Sequence, residues 1–317
     1  MSRPNPAEPP LVTVITPTFN RAAYIAETIE SVLRQSHPRL EHIVVDDGST
    51  DGTPEVLARY ADRVRVVRQA NAGEPHAVNH GFSLARGEIL GVVNDDDPVF
   101  PELVSSMVEA FDSRPDVLVA YPDWLLIDAD GKTLAENKVV EYRYLDMLRW
   151  HHCMPGPGTF FRRRCLELEG GRDPSFRLVG DFEFWLRVGL HGPFVHVPKT
   201  LATWRWHGGS ASVTDKGPQM AAEHVRILDK LYARADLPPE VREAEAFARA
   251  SACYIAALKT CERSPAVARR YFLRTLRHAP RYLWQLPPNF SETRPLVKRT
   301  FLEPLTRRWR GAGAAPA

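Results

Sequence analysis

Short apolar runs recur along the first part of the chain: LVTVIT at 11–16, HIVV at 42–45, VRVV at 64–67, ILGVV at 89–93 and VLVAY at 117–121. Each is bounded by turn-forming residues and is too short to read as a helix, so each predicts a buried strand. Between the first two, Tyr24, Ile25, Thr28, Ile29, Val32 and Leu33 recur at helical spacing; Thr53, Pro54 and Glu55 then predict an N-cap and a proline at the first position of a second helix. Strands that alternate with helices call for right-handed crossovers and a mostly parallel sheet flanked by helices, an α/β domain of Rossmann-like character.

The segments between the runs carry the chemistry. PTFNR comes after the first run, DDGSTDGT after the second, QANAGEPH after the third and NDDDP after the fourth. In a parallel sheet all four segments leave at the carboxyl edge, where open α/β folds bind their ligands. Acids and turn residues are therefore expected over one cleft.

From about Gly217 the pattern changes to long stretches with helical periodicity, at 220–235, 239–260 and 266–286. The chain accordingly divides into a tail (1–10), an α/β domain (11–216), a helical C-terminal region (217–310) and a short disordered tail (311–317). With 317 residues and 44% apolar composition it can bury a large core. A net charge of +2 conceals an asymmetry: residues 263–310 hold twelve Lys and Arg against Glu292 and Glu303, which leaves the rest of the chain at −8. The two parts are expected to meet different partners.

Four cysteines, Cys153, Cys165, Cys253 and Cys261, lack CxxC spacing, which argues against zinc and for a reduced cytoplasmic setting. MSRPNPAEPP has no apolar core and reads as a flexible tail rather than a signal peptide. No run approaches the eighteen or so apolar residues of a membrane-spanning helix.

VVNDDDP (92–98) sets three adjacent carboxylates after an apolar strand. At ~4 Å and an effective dielectric near 20, two such charges repel by roughly 4 kcal/mol, so either water solvates them or a cation sits between them. DDGSTDG (46–52) mimics the opening of an EF-hand through Asp47, Ser49, Asp51 and Gly52, but Ala58 stands where a bidentate Glu is required, which excludes that reading. An Asx-turn capping the next helix explains part of the stretch. It does not explain why Asp46 and Asp47 both directly follow a strand.

Taken in order, VTVITPTFNR, HIVVDDGSTDGT, NAGEPHAVNHG, GEILGVVNDDDPVFP and VGDFEFWLR resemble the motifs of family 2 glycosyltransferases over roughly residues 11–212. The resemblance implies a GT-A fold, with 11–216 as the catalytic domain, and inverting transfer of a sugar from a nucleotide-diphosphate donor. It implies that Pro17, Phe19 and Asn20 lie near the nucleotide base and that Asp47 accepts a hydrogen bond from a uracil-type ring. NDDDP matches the DxD-type motif, with Asn94 where a carboxylate is usual. Asp96 then falls on the principal metal ligand, Asp95 faces the ribose, and Asp97 is an additional ligand or stands behind one. Mg²⁺ or Mn²⁺ suits such all-oxygen ligation.

GDFEFWLR matches a stretch commonly written EDxxxWLR, with Gly180 in place of the usual Glu, so the resemblance puts Asp181 on the catalytic base. Glu183 is the alternative, and Arg187 reads as half of a structural ion pair. WRWHGGSAS (204–212) resembles the end of the catalytic domain, where His207 ligates the metal, donates to a phosphate, or serves structure. Trp185, Trp204 and Trp206 read more readily as core than as sugar platforms. Relatives use the region matching 151–161 to shape an acceptor pocket, and His76 and His80 are open candidates for a phosphate.

The resemblance implies a UDP-linked donor, Mg²⁺ or Mn²⁺, and a saccharide, lipid-linked or protein acceptor, in surface polysaccharide, glycolipid or glycan synthesis. The basic, aromatic C-terminal stretch fits either an anionic membrane at the inner face or a solvated helix surface. Nucleic acid fits less well, the rest of the chain being acidic. Rival classes are a sugar nucleotidyltransferase, whose glycine-rich loop PTFNR lacks, and a non-catalytic sugar-binding protein of the same fold.

Overall fold

The computed structural model describes residues 8–208 and 217–285, together with Leu296 and Thr300. Residues 1–7, Gly209 to Ser212 of the WRWHGGSAS motif, most of the basic stretch beyond 285 and the tail 311–317 lie outside the described residues. In chain order the elements are β1 (Val12–Thr18), α1 (Ile25–Leu33), β2 (Leu40–Asp46), α2 (Thr53–Ala58), β3 (Arg65–Arg68), α3 (Glu74–Leu84), β4 (Ile89–Val92), α4 (Leu103–Ser113), β5 (Val119–Ile127) and β6 (Thr133–Asn137). They continue with α5 (Tyr144–Trp150), β7 (Phe160–Arg162), α6 (Arg164–Glu169), α7 (Gly180–Val188) and β8 (Phe194–Arg205). The last are α8 (Gly217–Tyr232), α9 (Pro239–Glu243), α10 (Glu245–Thr260), α11 (Pro265–His278) and α12 (Tyr282–Gln285).

One compact unit comprises 1–143 with 153–213 and contains the whole sheet. Its strand order is β3-β2-β1-β4-β7-β5-β6, with β8 paired to β5. The β1–β2, β1–β4, β2–β3 and β5–β8 pairs are parallel, as the alternating pattern required. Every residue of β1 is buried, which is why this strand reads as an unbroken apolar run rather than an alternation. The order reverses between β1 and β4: the chain builds outward to β2 and β3, then returns to β1's other side. Beyond β4 the sheet becomes mixed, because the three-residue β7 runs antiparallel to both β4 and β5, and β6 turns back along β5. Gly91 permits the β4–β7 contact, since a Cβ there would lie 2.4 Å from the Phe160 ring.

The predicted first helix is α1, with Tyr24 as its cap residue. The second helix starts one residue differently from expectation. Gly52 is its cap, Asp51 Oδ1 accepts the Thr53 N–H at 2.9 Å, and the Thr53 hydroxyl is drawn away to accept the Arg21 N–H at 2.8 Å.

The second unit comprises 144–152 and 214–317, and so includes α5 as well as the C-terminal helices. Its core gathers Ala250, Tyr254, Ala257, Phe272, Tyr282 and Leu296 around the alanine-rich α10. The stretch expected as one helix at 239–260 divides at Ala244 into α9 and α10. That expected at 266–286 breaks after His278, where Ala279 is extended ahead of Pro280. A residue before proline is sterically excluded from the α region, so the interruption follows from the sequence.

His42 on β2 supplies a test of the sheet's interior. It is 6% exposed, its Nε2 lies 3.0 Å from the Thr16 hydroxyl, and burial pushes its pKa down to about 3. The unfolded chain takes up this proton near pH 6.5 whereas the folded chain resists it, so the stability that His42 contributes is complete above about pH 6.5 and is lost as pH falls toward 3. His42→Gln is expected to flatten the fall of unfolding free energy between pH 7 and 4 in urea titrations; an unchanged slope would show that His42 does not contribute to it.

Candidate active site

Reversal of strand order places the segments after β1 and after β4 side by side, the position at which open α/β sheets bind ligands. After β1 the chain turns sharply at Asn20, a non-glycine residue with φ 55°. Asparagine tolerates that left-handed conformation better than most residues, and here its side chain is also used: Oδ1 accepts the N–H groups of Thr50 (2.8 Å) and Asp51 (3.3 Å). In return the Ser49 hydroxyl accepts the Asn20 N–H at 3.0 Å. Asn20 therefore staples the PTFNR turn to the DDGSTDG turn. Pro17 is buried within β1, while Phe19 is 41% exposed and its N–H donates to Asp95 Oδ2 at 3.3 Å.

Asp46 and Asp47 diverge. Asp46 Oδ1 accepts the Ser49 N–H at 2.8 Å and Oδ2 lies 3.5 Å from Arg68 Nε, so Asp46 holds the turn closed. Asp47 accepts from Gln69 Nε2 (2.7 Å), Ala72 N (2.9 Å) and Gly73 N (2.7 Å). It thereby fixes the loop after β3. Gly48 allows this approach: its φ is +78°, and a Cβ would come within 2.9 Å of the Asn71 nitrogen. His80 Nδ1 lies 2.7 Å from Gln69 Oε1 and so orients the residue that holds Asp47, whereas His76 is exposed.

The three adjacent carboxylates are likewise divided. Asp97 faces inward, with Oδ1 accepting the Arg205 N–H at 2.7 Å and Oδ2 accepting Asn94 Nδ2 at 3.0 Å. Asp95 and Asp96 share Arg21, whose Nε lies 3.6 Å from Asp95 Oδ1 and 3.7 Å from Asp96 Oδ2. Burial, reinforced by the charge of Asp96, pushes the Asp95 carboxyl up to about 7, and the same two causes raise Asp97.

Behind these carboxylates stands Arg205, among the largest fully buried side chains. Its Nε donates to Asp96 O (2.8 Å), Nη1 to Ala129 O (3.0 Å) and Nη2 to Glu27 Oε2 (2.6 Å), and its guanidinium carbon lies 5.1 Å from the Tyr24 ring centre. The other neighbour of that ring is His207, at 4.7 Å between centroids, whose Nε2 sits 2.8 Å from Asp96 Oδ2. Asp96 and His207 therefore converge. Among the described residues, no three His, Cys, Asp or Glu side chains form a metal-holding cluster.

Asp181 lies half-buried in the first turn of α7, its Oδ1 accepting the Phe182 N–H at 2.7 Å. Its charge reaches the Cys153 thiol, which burial first and Asp181 second push well up, with Arg172 acting in the opposite sense. Glu183, the alternative base, is 2% exposed and committed to Arg187 through Oε1–Nε at 2.7 Å and Oε2–Nη2 at 2.9 Å. Arg187 also donates to Gly171 O at 2.8 Å, so this pair is a structural clamp. Arg172 is paired with Glu74 and held by Asn79, linking the start of α3 to the loop before α7. A Cβ at Gly180 would meet Pro75 and Phe176 only at 3.9–4.0 Å, so crowding does not account for glycine there.

The tryptophans separate. Trp185 packs in the core with Phe161, Phe184 and Phe194, as expected. Trp204 is half-buried against Trp124 at 5.5 Å, but Trp206 is 52% exposed, contrary to the expectation of core packing. Trp206 follows Arg205, the last residue of β8, and so lies outside the strand that carries Trp204. Residues 151–161 contribute Gly156 and Gly158, which approach Trp124 and Ala202 respectively. Arg21, Tyr24 and Arg205 are site residues that sequence reasoning passed over. Their only signal was position, within PTFNR and the turn after it and within the RxH pattern.

The fold is that of GT-A glycosyltransferases. S. aureus TarS 1–349, in complex with UDP-GlcNAc, matches with a TM-score of 0.60 at 16% identity over 86% of this chain and 92% of that one. Mannosyltransferase PcManGT from Pyrobaculum calidifontis, in complex with GDP-Man and Mn²⁺, matches with a TM-score of 0.55 at 20% identity over 90% of each chain. Residues 13–167 match the profile of glycosyl transferase family 2. Chondroitin synthase of Escherichia coli is 28% identical over 232 residues, or 71% of this chain and 33% of the synthase, so the chain spans about a third of that relative's length.

Arg205 ties the acidic loop to α1 and to the turn after β5, so its loss should be felt in stability as well as in binding. Arg205→Met is expected to lower unfolding free energy by about 2–4 kcal/mol, because carbonyls and a carboxylate lose a buried partner. Denaturant titration reads this directly, and a change below about 0.5 kcal/mol would contradict the role given to Arg205.

Proposed function

We propose that this chain is an inverting glycosyltransferase that transfers a sugar from a nucleotide-diphosphate donor, UDP-linked, to an acceptor hydroxyl. The observation that carries the reading is the convergence of Asp95, Asp96, Arg21 and His207 where the strand order reverses. Relatives named for polysaccharide synthesis and a fold neighbour in complex with UDP-GlcNAc support the donor class.

A divalent ion fits the residues present. Mg²⁺ and similar ions are commonly held by one or two protein groups plus substrate phosphates, so a full protein cage is not required. Asp96 and His207, whose Oδ2 and Nε2 lie 2.8 Å apart, would be the two groups that hold it, and Asp97 holds the loop from behind. When bound, Mg²⁺ or Mn²⁺ neutralises charge on the diphosphate as it departs. Asp95, beside the Phe19 N–H, faces the ribose; Pro17, Phe19, Asn20 and Asp47 form the base side, where three of Asp47's acceptor positions already order the loop. The Arg21 guanidinium holds Asp95 and Asp96 in place between turnovers.

Asp181 takes the proton of the acceptor hydroxyl as that oxygen bonds to the anomeric carbon; the bond from that carbon to the phosphate oxygen breaks, and the nucleoside diphosphate leaves with the electron pair. Attack opposite the leaving group inverts the configuration. The acceptor is a saccharide, a lipid-linked glycan or a protein, at the cytoplasmic side, with the basic C-terminal region nearest a membrane. Residues 11–216 serve catalysis and 217–310 serve this attachment.

Asp181→Asn is expected to lower transfer by about 10²- to 10⁴-fold with nucleotide binding retained, measured by turnover and calorimetry on the same preparation. Undiminished turnover would remove Asp181 from its role. Separately, Asp96→Ala is expected to abolish the part of UDP binding that a chelator removes; equal affinity with and without chelator in the parent protein would end the metal assignment.

A further inference from the structure

Helix α11 packs one side, through Ala268, Phe272 and Thr275, into the core of the second unit. Its opposite side exposes Arg270, Leu273, Arg274 and Arg277 at helical spacing, and beyond the break at Ala279 the exposed Arg281 and Trp284 follow, the latter in α12. Two of these are large hydrophobics that a soluble surface would normally cover, Leu273 at 54% exposure and Trp284 at 87%. From Arg263 to Gln285 the sequence contains six arginines and no Asp or Glu. Among the described residues, Arg270, Arg274, Arg277 and Arg281 form no ion pair, in contrast to Arg234 and Arg249 of the same unit, which pair with Asp236, Asp229 and Glu245.

We propose that these residues form a membrane-docking surface, in which the four arginines bind anionic lipid headgroups while Trp284 and Leu273 enter the interfacial layer. The proposal rests on the membrane attachment in the proposed function and names its residues, yet it requires neither donor nor metal. Charge alone would equally fit a soluble polyanion. The exposed indole decides for lipid, since tryptophan's apolar body and single N–H suit the headgroup boundary and arginine side chains lie along an apolar surface with their heads in water. No described helix is long and apolar enough to cross a membrane, so this contact is peripheral. Each arginine near an anionic surface contributes roughly a fivefold gain in partitioning, so the four together contribute on the order of several hundredfold.

The experiment is co-sedimentation of the full chain with vesicles of phosphatidylcholine alone or with about 30% phosphatidylglycerol, at low and high salt. Binding is expected only to the anionic vesicles and to weaken with salt. Replacing the four arginines by glutamine should reduce it by more than about a hundredfold. Trp284→Ala should reduce vesicle binding about five- to tenfold while leaving binding to heparin, a soluble polyanion, unchanged. Circular dichroism and UDP calorimetry on each variant report folding and the donor site independently. Absent vesicle binding, binding indifferent to the four substitutions, or an equal effect of Trp284→Ala on heparin and vesicles would overturn the proposal. Failure of UDP binding in the parent protein would instead strike the glycosyltransferase reading alone.

Discussion

Three consecutive carboxylates at a strand's end are the constraint to which the rest of the site answers. Each close pair of such charges costs roughly 4 kcal/mol at a protein-like dielectric. The fold lowers this by sending them to different partners, Asp97 inward to the Arg205 backbone and Asn94, Asp95 to Phe19 and Arg21, and Asp96 to Arg21 and His207. Arginine rather than lysine is suited to both supporting positions. The planar guanidinium of Arg205 delivers separate donors to Asp96 O, Ala129 O and Glu27 while stacking near Tyr24, which a single ammonium could not do. Burial first and the charge of Asp96 second still raise the Asp95 and Asp97 carboxyls, so relief is incomplete.

The sheet supplies the second half of that arrangement. β1 lies between β2 and β4, so its carboxyl end faces the Asp46–Asp47 turn on one side and the Asp95–Asp97 loop on the other. Side chains fasten the loops to each other: Asn20 to residues 49–51, Asp47 to residues 69–73, and Asp51 to Ala22. Such bonds remove backbone freedom before any ligand arrives, which lowers the ordering cost of binding.

Much of this was legible in the chain. β1 to β4 are β-branched runs of the right length, and the placement of PTFNR, DDGSTDG and NDDDP at one edge follows from parallel connectivity alone. β7 and β6 were not legible, because Phe160–Arg162 is too short to show a period and TLAEN is polar. Nor could the pattern say which of Asp95, Asp96 and Asp97 turns inward, since the two-residue alternation of a strand stops where β4 ends at Val92. Trp206 was misjudged for the same reason, since it follows the last residue of β8, where alternation no longer applies. The break at Pro280, by contrast, lay in plain view.

The opposite signs carried by the two ends of the chain answer different physical problems. An acidic loop and a diphosphate are both negative, so the proposed reading needs an ion shared between them, which Asp96 and His207 would hold. An arginine-rich surface needs no such intermediary to meet an anionic one. Monovalent salt screens exposed charges over about 10 Å at 0.1 M, so it acts strongly on Arg270, Arg274, Arg277 and Arg281, whereas Asp95 and Asp96, at 8% and 9% exposure, are far less accessible to it. The two proposed kinds of recognition would therefore respond to different variables, one to divalent ion and the other to ionic strength, and a net charge of only +2 leaves room for both without either dominating the overall field.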